Sequence, residues 1–171
     1  GELLRKEDEL YFTYGGTSDC IFIRPSSGFK LFSGQVVERR YFKKDLPRLG
    51  FYDIEPERIM IISSAKKIDE EYRFVVGKGN VITGSRYKLN DKLDISNIVP
   101  DEVAAFAQTV ADKWKGPDSV YVMDIAKDIT GLYLLELNSF SCSGLYAMDM
   151  DKLINRVNEI AIEEYRDVFN H

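Results

Sequence analysis

Apolar residues along this chain follow two periods, and the changes from one to the other mark out its elements. Residues 2–12 read as helical and begin abruptly. Asp19-Cys20-Ile21-Phe22-Ile23-Arg24 reads as a buried strand, which Pro25-Ser26-Ser27-Gly28 breaks at once. Phe29 to Gly34 follows as a loop with glycine at each side, and Gln35-Val36-Val37 resumes an extended pattern. Pro47 and Gly50 confine any helix near Lys43 to a turn or two. Ile59 to Ser63 is a second aliphatic strand, and Ser63-Ser64-Ala65-Lys66-Lys67 after it reads as a hinge between two lobes.

From Glu71 onward the alternation is sharper. Glu71 to Val76 and Val81 to Tyr87 flank Gly77-Lys78-Gly79-Asn80, whose glycines supply the positive φ angles of a tight hairpin. With Val76 opposite Val81, an uninterrupted register sets Arg73 against Gly84 and Glu71 against Arg86. Glu71, Arg73 and Arg86 are then expected on one face. Asp101 to Lys115 carries Val103, Phe106, Ala107, Val110 and Trp114 at helical spacing, and Gly116-Pro117 ends it. Val120 to Ile125 and Leu132 to Leu137 form a second hairpin. Asp149 to Phe169 closes the chain as a helix with Leu153, Ile154, Val157, Ile160 and Ala161 expected on its buried stripe and Asp149 or Asp151 near its N-terminus. Strand pairs alternating with helices predict an antiparallel α+β lobe.

Composition narrows what such a fold does. The 171 residues are 44% hydrophobic and carry a formal charge of −5. That acidity argues against non-specific binding to duplex nucleic acid, whose affinity comes from Lys and Arg neutralising phosphates. No apolar run is long enough to span a bilayer, and Gly1-Glu2-Leu3-Leu4-Arg5-Lys6 lacks the apolar core of a signal peptide. Two cysteines, Cys20 and Cys142, suit a reducing cytoplasm better than a disulfide scaffold. The single histidine is the terminal His171, so the chemistry does not rest on imidazole.

The second hairpin holds the strongest chemical signal. An even register, such as Asp124 opposite Leu134, puts Asp124, Glu136 and Asn138 on one face, with Tyr121, Met123, Ile125, Leu135 and Leu137 on the other. Oxygen ligands on adjacent strands suit Mg²⁺, which bridges carboxylates to nucleotide phosphates; the same residues also read as a solvent-facing polar strand face. Arg24 ends an apolar strand where a buried arginine needs an anionic partner, and Ser26-Ser27-Gly28-Phe29-Lys30 beside it could grip phosphate or be a surface turn. Arg73 and Arg86 beside Glu71 suggest an anion site. Arg24, Lys30, Arg73 and Arg86 with two carboxylates suit a polyphosphate and its metal ion.

These segments, in order, resemble one family. Phe22-Ile23-Arg24-Pro25-Ser26-Ser27-Gly28-Phe29-Lys30, Glu71-Tyr72-Arg73-Phe74-Val75-Val76, Thr83-Gly84-Ser85-Arg86-Tyr87 and Glu136-Leu137-Asn138-Ser139-Phe140-Ser141 resemble the ATP-grasp superfamily, and within it the phage and bacterial clade named for two arginines and a lysine. The resemblance implies two α+β lobes clasping ATP with Mg²⁺, or Mn²⁺ in its place. They would be residues 1–64, with a phosphate-covering loop at 25–34, and residues 65–171. It implies nucleotide contacts from Arg24, Ser27, Gly28, Lys30, Ile61, Ile62, Ser63 and Glu71, the last at the ribose position. Metal ligation falls to Asp124, Glu136 and Asn138, and catalytic charge to Arg73, Arg86 and Lys30. Peptide-ligase relatives carry an arginine where this chain has Val122, and Arg73 and Arg86 are candidates for the missing charge. The implied reaction joins a carboxylate to an amine through an acyl phosphate, on a peptide or modified macromolecule; the alternative is an ATP-binding module that regulates without ligating. The length fits the two lobes alone, without the additional N-terminal domain usual in the superfamily.

Overall fold

The computed structural model describes residues 5–26, 33–45, 59–114, 116 and 118–169. It divides into two compact units, Gly1–Lys67 and Ile68–His171. Among the described residues no helix is long and apolar enough to cross a membrane.

The first unit holds helix α1 (Glu7–Tyr14), strands β1 (Cys20–Pro25) and β2 (Gln35–Glu38), the short helix α2 (Phe42–Asp45) and strand β3 (Met60–Ser64). The strands form an antiparallel sheet in the order β2-β1-β3. Alternation along β1 buries Ile21 and Ile23 against Tyr11, Val37 and Phe42. Tyr11 also donates its hydroxyl to the Val37 carbonyl at 3.0 Å and meets the Phe42 ring edge-on. Helix α1 runs past residue 12 to Tyr14, and residues 2–4 of the expected helix lie outside the described residues.

The second unit is a five-stranded antiparallel sheet in the order β6-β5-β4-β7-β8. Its elements are β4 (Glu70–Gly77), β5 (Asn80–Leu89), β6 (Lys92–Ser96), α3 (Asp101–Lys113), β7 (Val120–Asp128), β8 (Gly131–Ser139) and α4 (Met150–Phe169). Two-residue turns join three hairpins. Lys78 and Gly79 both have positive φ between β4 and β5, as do Asn90 and Asp91 between β5 and β6, the geometry whose twist matches paired strands. Strand β6 was not expected. Its signal is the Asn90-Asp91 pair followed by alternating polar and apolar residues.

The sheet is covered on both faces. One face sends Tyr72, Phe74, Val76, Tyr121, Met123 and Ile125 against Val103, Ala107 and Ala111 of α3. The other sends Val75, Ile82 and Val122 against Leu153 and Ile160 of α4 and against Met148. The Asp149 carboxylate accepts the Lys152 amide at 2.9 Å and so caps the start of α4. The α4 stripe differs from the one expected: Leu153 and Ile160 are buried, whereas Ile154 is 51% exposed and Ala161 faces solvent. Trp114 likewise lies outside α3 and is exposed, because α3 ends at Lys113 and Trp114 takes an extended conformation.

Bulges revise both expected registers. Between β4 and β5 the pairing shifts after Val76/Val81 and again after Tyr72/Arg86, so Arg73 lies opposite Ser85 and Glu71 opposite Lys88. Between β7 and β8 the shift falls between Asp124/Glu136 and Ile125/Leu134. Leu135 is the extra residue there; Leu134 and Leu137 pack against the α3-side core instead. A bulge moves every side chain beyond it to the opposite face.

Core burial in α4 sets a direct test. Leu153→Ala should lower the unfolding free energy of the chain by about 2–5 kcal/mol, and the neighbouring Ile154→Ala by less than about 1 kcal/mol. Urea denaturation followed by circular dichroism measures both, and equal effects would refute the placement of α4.

Candidate functional site

On the α4 side of the second sheet, side chains fall into rows that cross β5, β4, β7 and β8. The first row is Thr83, Val75, Val122 and Asn138; the second is Ser85, Arg73, Asp124 and Glu136; the third is Lys88, Glu71, Ala126 and Tyr133. Helix α4 covers the Val75–Val122 end. Apart from the buried Ala126, charged and polar groups occupy the rest.

Asp124 is the centre of that cluster and is only 2% exposed. Arg73 grips it with two hydrogen bonds, Nε to Oδ1 and Nη2 to Oδ2, each 2.8 Å. The Tyr87 hydroxyl donates to Glu71 Oε2 at 2.5 Å and reaches Asp124 Oδ2 at 3.4 Å. Lys88 Nζ donates to Glu71 Oε1 at 2.6 Å. On the other flank Asn138 Nδ2 donates to Glu136 Oε1 at 2.7 Å. Glu71, Asp124 and Glu136 face Arg73 and Lys88, so this set carries one more carboxylate than cation.

An aromatic stack borders the ion pair. The rings of Tyr87 and Tyr146 lie parallel, 5.0 Å apart, and the Arg73 guanidinium sits 5.4 Å from one and 5.5 Å from the other. Tyr146 is held by the segment that enters α4. The Ala147 amide donates to Ser85 Oγ at 3.3 Å, the Asp149 amide donates to Thr83 Oγ1 at 3.1 Å, and Met148 is buried in the core.

Burial decides the protonation behaviour of this cluster. Desolvation pushes the Asp124 carboxyl above the ordinary aspartate value, Arg73 pulls it back down, and the charges of Glu136 and Glu71 push it up again. The hydrogen bonds to Asp124 hold Arg73 firmly protonated. Burial, with the Asp124 charge next, raises the Tyr87 hydroxyl well above its usual value, and the bond to Glu71 raises Lys88.

The residues singled out from the sequence separate into groups. Glu71, Arg73, Asp124, Glu136 and Asn138 come together on this one face. Arg86 does not: opposite Tyr72, it projects from the other face, where it binds Asp94 at 2.6 Å and Glu70 at 3.3 Å. The bulge after Tyr72/Arg86 puts Tyr87 and Lys88 in its place. Arg24, next to last in β1, is exposed, not buried, because its neighbours Ile23 and Pro25 take the core side. On edge strand β3, Ile61 and Ser63 are exposed and Ile62 packs against the first unit's core. Ser27, Gly28 and Lys30 lie outside the described residues. Val122 is fully buried in the α4-side cluster, which explains the lack of an arginine there: the charge facing Asp124 comes from β4. Tyr87, Lys88 and Tyr146 were missed, and only the bulge reveals the first two.

A model of one protein family matches residues 5–157: the ATP-grasp domain, family 3 of the clade named for two arginines and a lysine. The chain belongs to that family. Solved ATP-grasp structures share the fold at low identity. D-alanine–D-alanine ligase from Bacillus anthracis, complexed with ATP, aligns over 86% of this chain and 52% of its own, with 17% identity and a TM-score of 0.55. D-cycloserine synthetase DcsG aligns over 86% and 55%, with 13% identity and a TM-score of 0.55. The ATP-grasp ligase PsnB, complexed with a phosphomimetic variant of its minimal precursor, Mg and ADP, aligns over 91% and 50%, with 20% identity and a TM-score of 0.50. The chain thus spans about half the length of these structures. No curated protein sequence matches it.

The donor set of this ATP-grasp domain suits Mg²⁺. Two carboxylates at facing positions and a carboxamide two residues on are all oxygen donors. Among the described residues no group of three or more His, Cys, Asp or Glu could hold a metal by itself.

Removing the guanidinium should expose the electrostatics. In Arg73→Gln the Asp124 carboxyl should titrate at higher pH than in the parent, as followed by side-chain ¹³C NMR. A carboxyl whose folded value lies above its unfolded value stabilises the fold at low pH and loses that contribution as pH rises through the folded value. The variant's urea midpoint should therefore fall with pH over a wider interval than the parent's. An unchanged titration would contradict the pairing.

Proposed function

We propose that this chain is the nucleotide-clasping part of an ATP-dependent carboxylate–amine ligase. One observation carries the reading: Arg73, Asp124 and Glu136 share a row across three strands, with Asn138 beside them, in a chain of the ATP-grasp family. That row offers a metal–phosphate site in which positioning and charge do the catalytic work, without a histidine.

In the proposed reaction an oxygen of a substrate carboxylate attacks the γ-phosphorus of ATP, ADP leaves, and an acyl phosphate forms. An amine then attacks the acyl carbon, inorganic phosphate departs, the nitrogen loses a proton and an amide remains. Asp124 and Glu136 would hold Mg²⁺ with the Asn138 carboxamide oxygen, and the bound ion would neutralise charge building on the transferring phosphoryl group. Glu71, oriented by Tyr87 and Lys88, would accept ribose hydroxyls. Arg73 would supply the cation that relatives place two residues before the metal aspartate. Arg24, Ile61, Ile62 and Ser63, with Ser27, Gly28 and Lys30, are the first unit's proposed nucleotide contacts. Arg86 is not included, because Glu70 and Asp94 already hold it on the opposite face. A peptide or modified macromolecule is the proposed substrate class; PsnB, a structural neighbour, carries a minimal precursor in its complex.

Glu136→Ala should reduce Mg²⁺-dependent ATP turnover by at least about a hundredfold while leaving the circular dichroism spectrum unchanged. Phosphate release, screened against panels of carboxylates and amines, supplies the assay. Retained turnover in the variant would reject the metal assignment, and ATP binding with no acceptor-dependent ADP release would point to a regulatory module.

A further inference from the structure

Building on the ligase reading above, we propose that Arg73 is the resident counter-cation of the metal carboxylate, and that metal binding and the release of Arg73 from Asp124 are one coupled event.

Asp124 serves both partners only at an electrostatic cost. Its two oxygens are taken by a two-point grip from Arg73, and it is almost wholly removed from water. A divalent ion on the same buried carboxylate would lie within a few ångströms of the guanidinium, where a low dielectric makes the repulsion strong. Glu136 provides the rest of the reason for the ion to win. It faces Asp124 from β8, has Asn138 as its hydrogen-bond partner, and makes no ion pair with Arg73. A metal can be shared by both carboxylates, whereas Arg73 approaches from β4 on the far side of Asp124 and satisfies only one.

A displaced arginine needs somewhere to go, and the structure provides it. The guanidinium already lies within cation–π distance of both rings of the Tyr87–Tyr146 stack. Two backbone amides of the segment entering α4 pin that stack against β5. A purely structural ion pair would gain little from this second seat. Arg86, on the opposite face, is held by two carboxylates instead of by a stack of rings. Tyr146 is thereby a positioning residue: it acts on the metal site through Arg73.

The test uses the full chain without nucleotide and reads Mn²⁺ binding by electron paramagnetic resonance, with Mg²⁺ as competitor. At a pH where Asp124 is ionised in both proteins, Arg73→Gln should bind Mn²⁺ at least about tenfold more tightly than the parent, because the competing charge is gone. Tyr146→Leu, which removes the second seat, should bind it about two- to fivefold more weakly, and Tyr146→Phe should match the parent. Unchanged or weaker binding in folded Arg73→Gln overturns the proposal. So does equal binding by the two Tyr146 variants, which decide the matter alone if Arg73→Gln does not fold. Glu136→Gln separates this from the reading beneath it. Loss of Mn²⁺ binding there keeps the metal site even if the exchange fails, and unaltered binding removes the site and the exchange together.

Discussion

Asp124 is a carboxylate in the middle of a sheet, 2% exposed, and the charge that favours its ionised form comes from Arg73. An uncompensated buried carboxylate would take up a proton or unfold the strand beneath it. Arg73 opposes this with a two-point contact from the adjacent strand, and it does so only because β4 and β7 pair Arg73 with Asp124 directly. The ion pair therefore depends on register. Register depends in turn on the apolar rows to either side, since a slip of one residue would send Phe74 and Met123 to the charged face and the ion pair into the core.

The same sheet face serves two purposes along its length. At one end Val75 and Val122 are covered by α4, which supplies the hydrophobic burial that holds the lobe together. At the other, where α4 no longer covers the strands, Glu71, Arg73, Asp124 and Glu136 line up across them. The connection into α4 links the two ends. Met148 is buried with the core, while Tyr146, two residues earlier, stacks on Tyr87 beside the ion pair. Packing and chemistry are thus coupled through a few residues, and the aromatic stack is positioned by the burial that anchors the helix.

The coarse plan is legible in the sequence for a physical reason. Alternation with period two, glycine turns and a helical stripe are local signals, so the hairpins, both long helices and the α+β class follow from the order of residues alone. Asp124, Glu136 and Asn138 could be placed on one face because two of them are two residues apart and the third lies across a short turn. What could not be read is where strands gain an extra residue. The extra residue at Ile82 takes Arg86 off the charged face, the one at Tyr87 brings Lys88 opposite Glu71, and a third bulge leaves Leu135 out of the core. Bulges are settled by how the whole sheet twists and packs, and no tripeptide announces them. The α4 stripe is narrower than its spacing suggests: Leu153, Val157 and Ile160 pack as expected, while Ile154 and Ala161 at its margins face solvent.

The central claim is that the polar end of this sheet face binds a metal ion with its nucleotide. The most direct measurement is a crystal structure of the chain with Mg²⁺ and a non-hydrolysable ATP analogue. The account predicts an ion coordinated by Asp124 and Glu136, with Asn138 alongside and the analogue's phosphates completing its shell. An analogue bound with its ion on other residues, and with Asp124 and Glu136 free of metal, would contradict it.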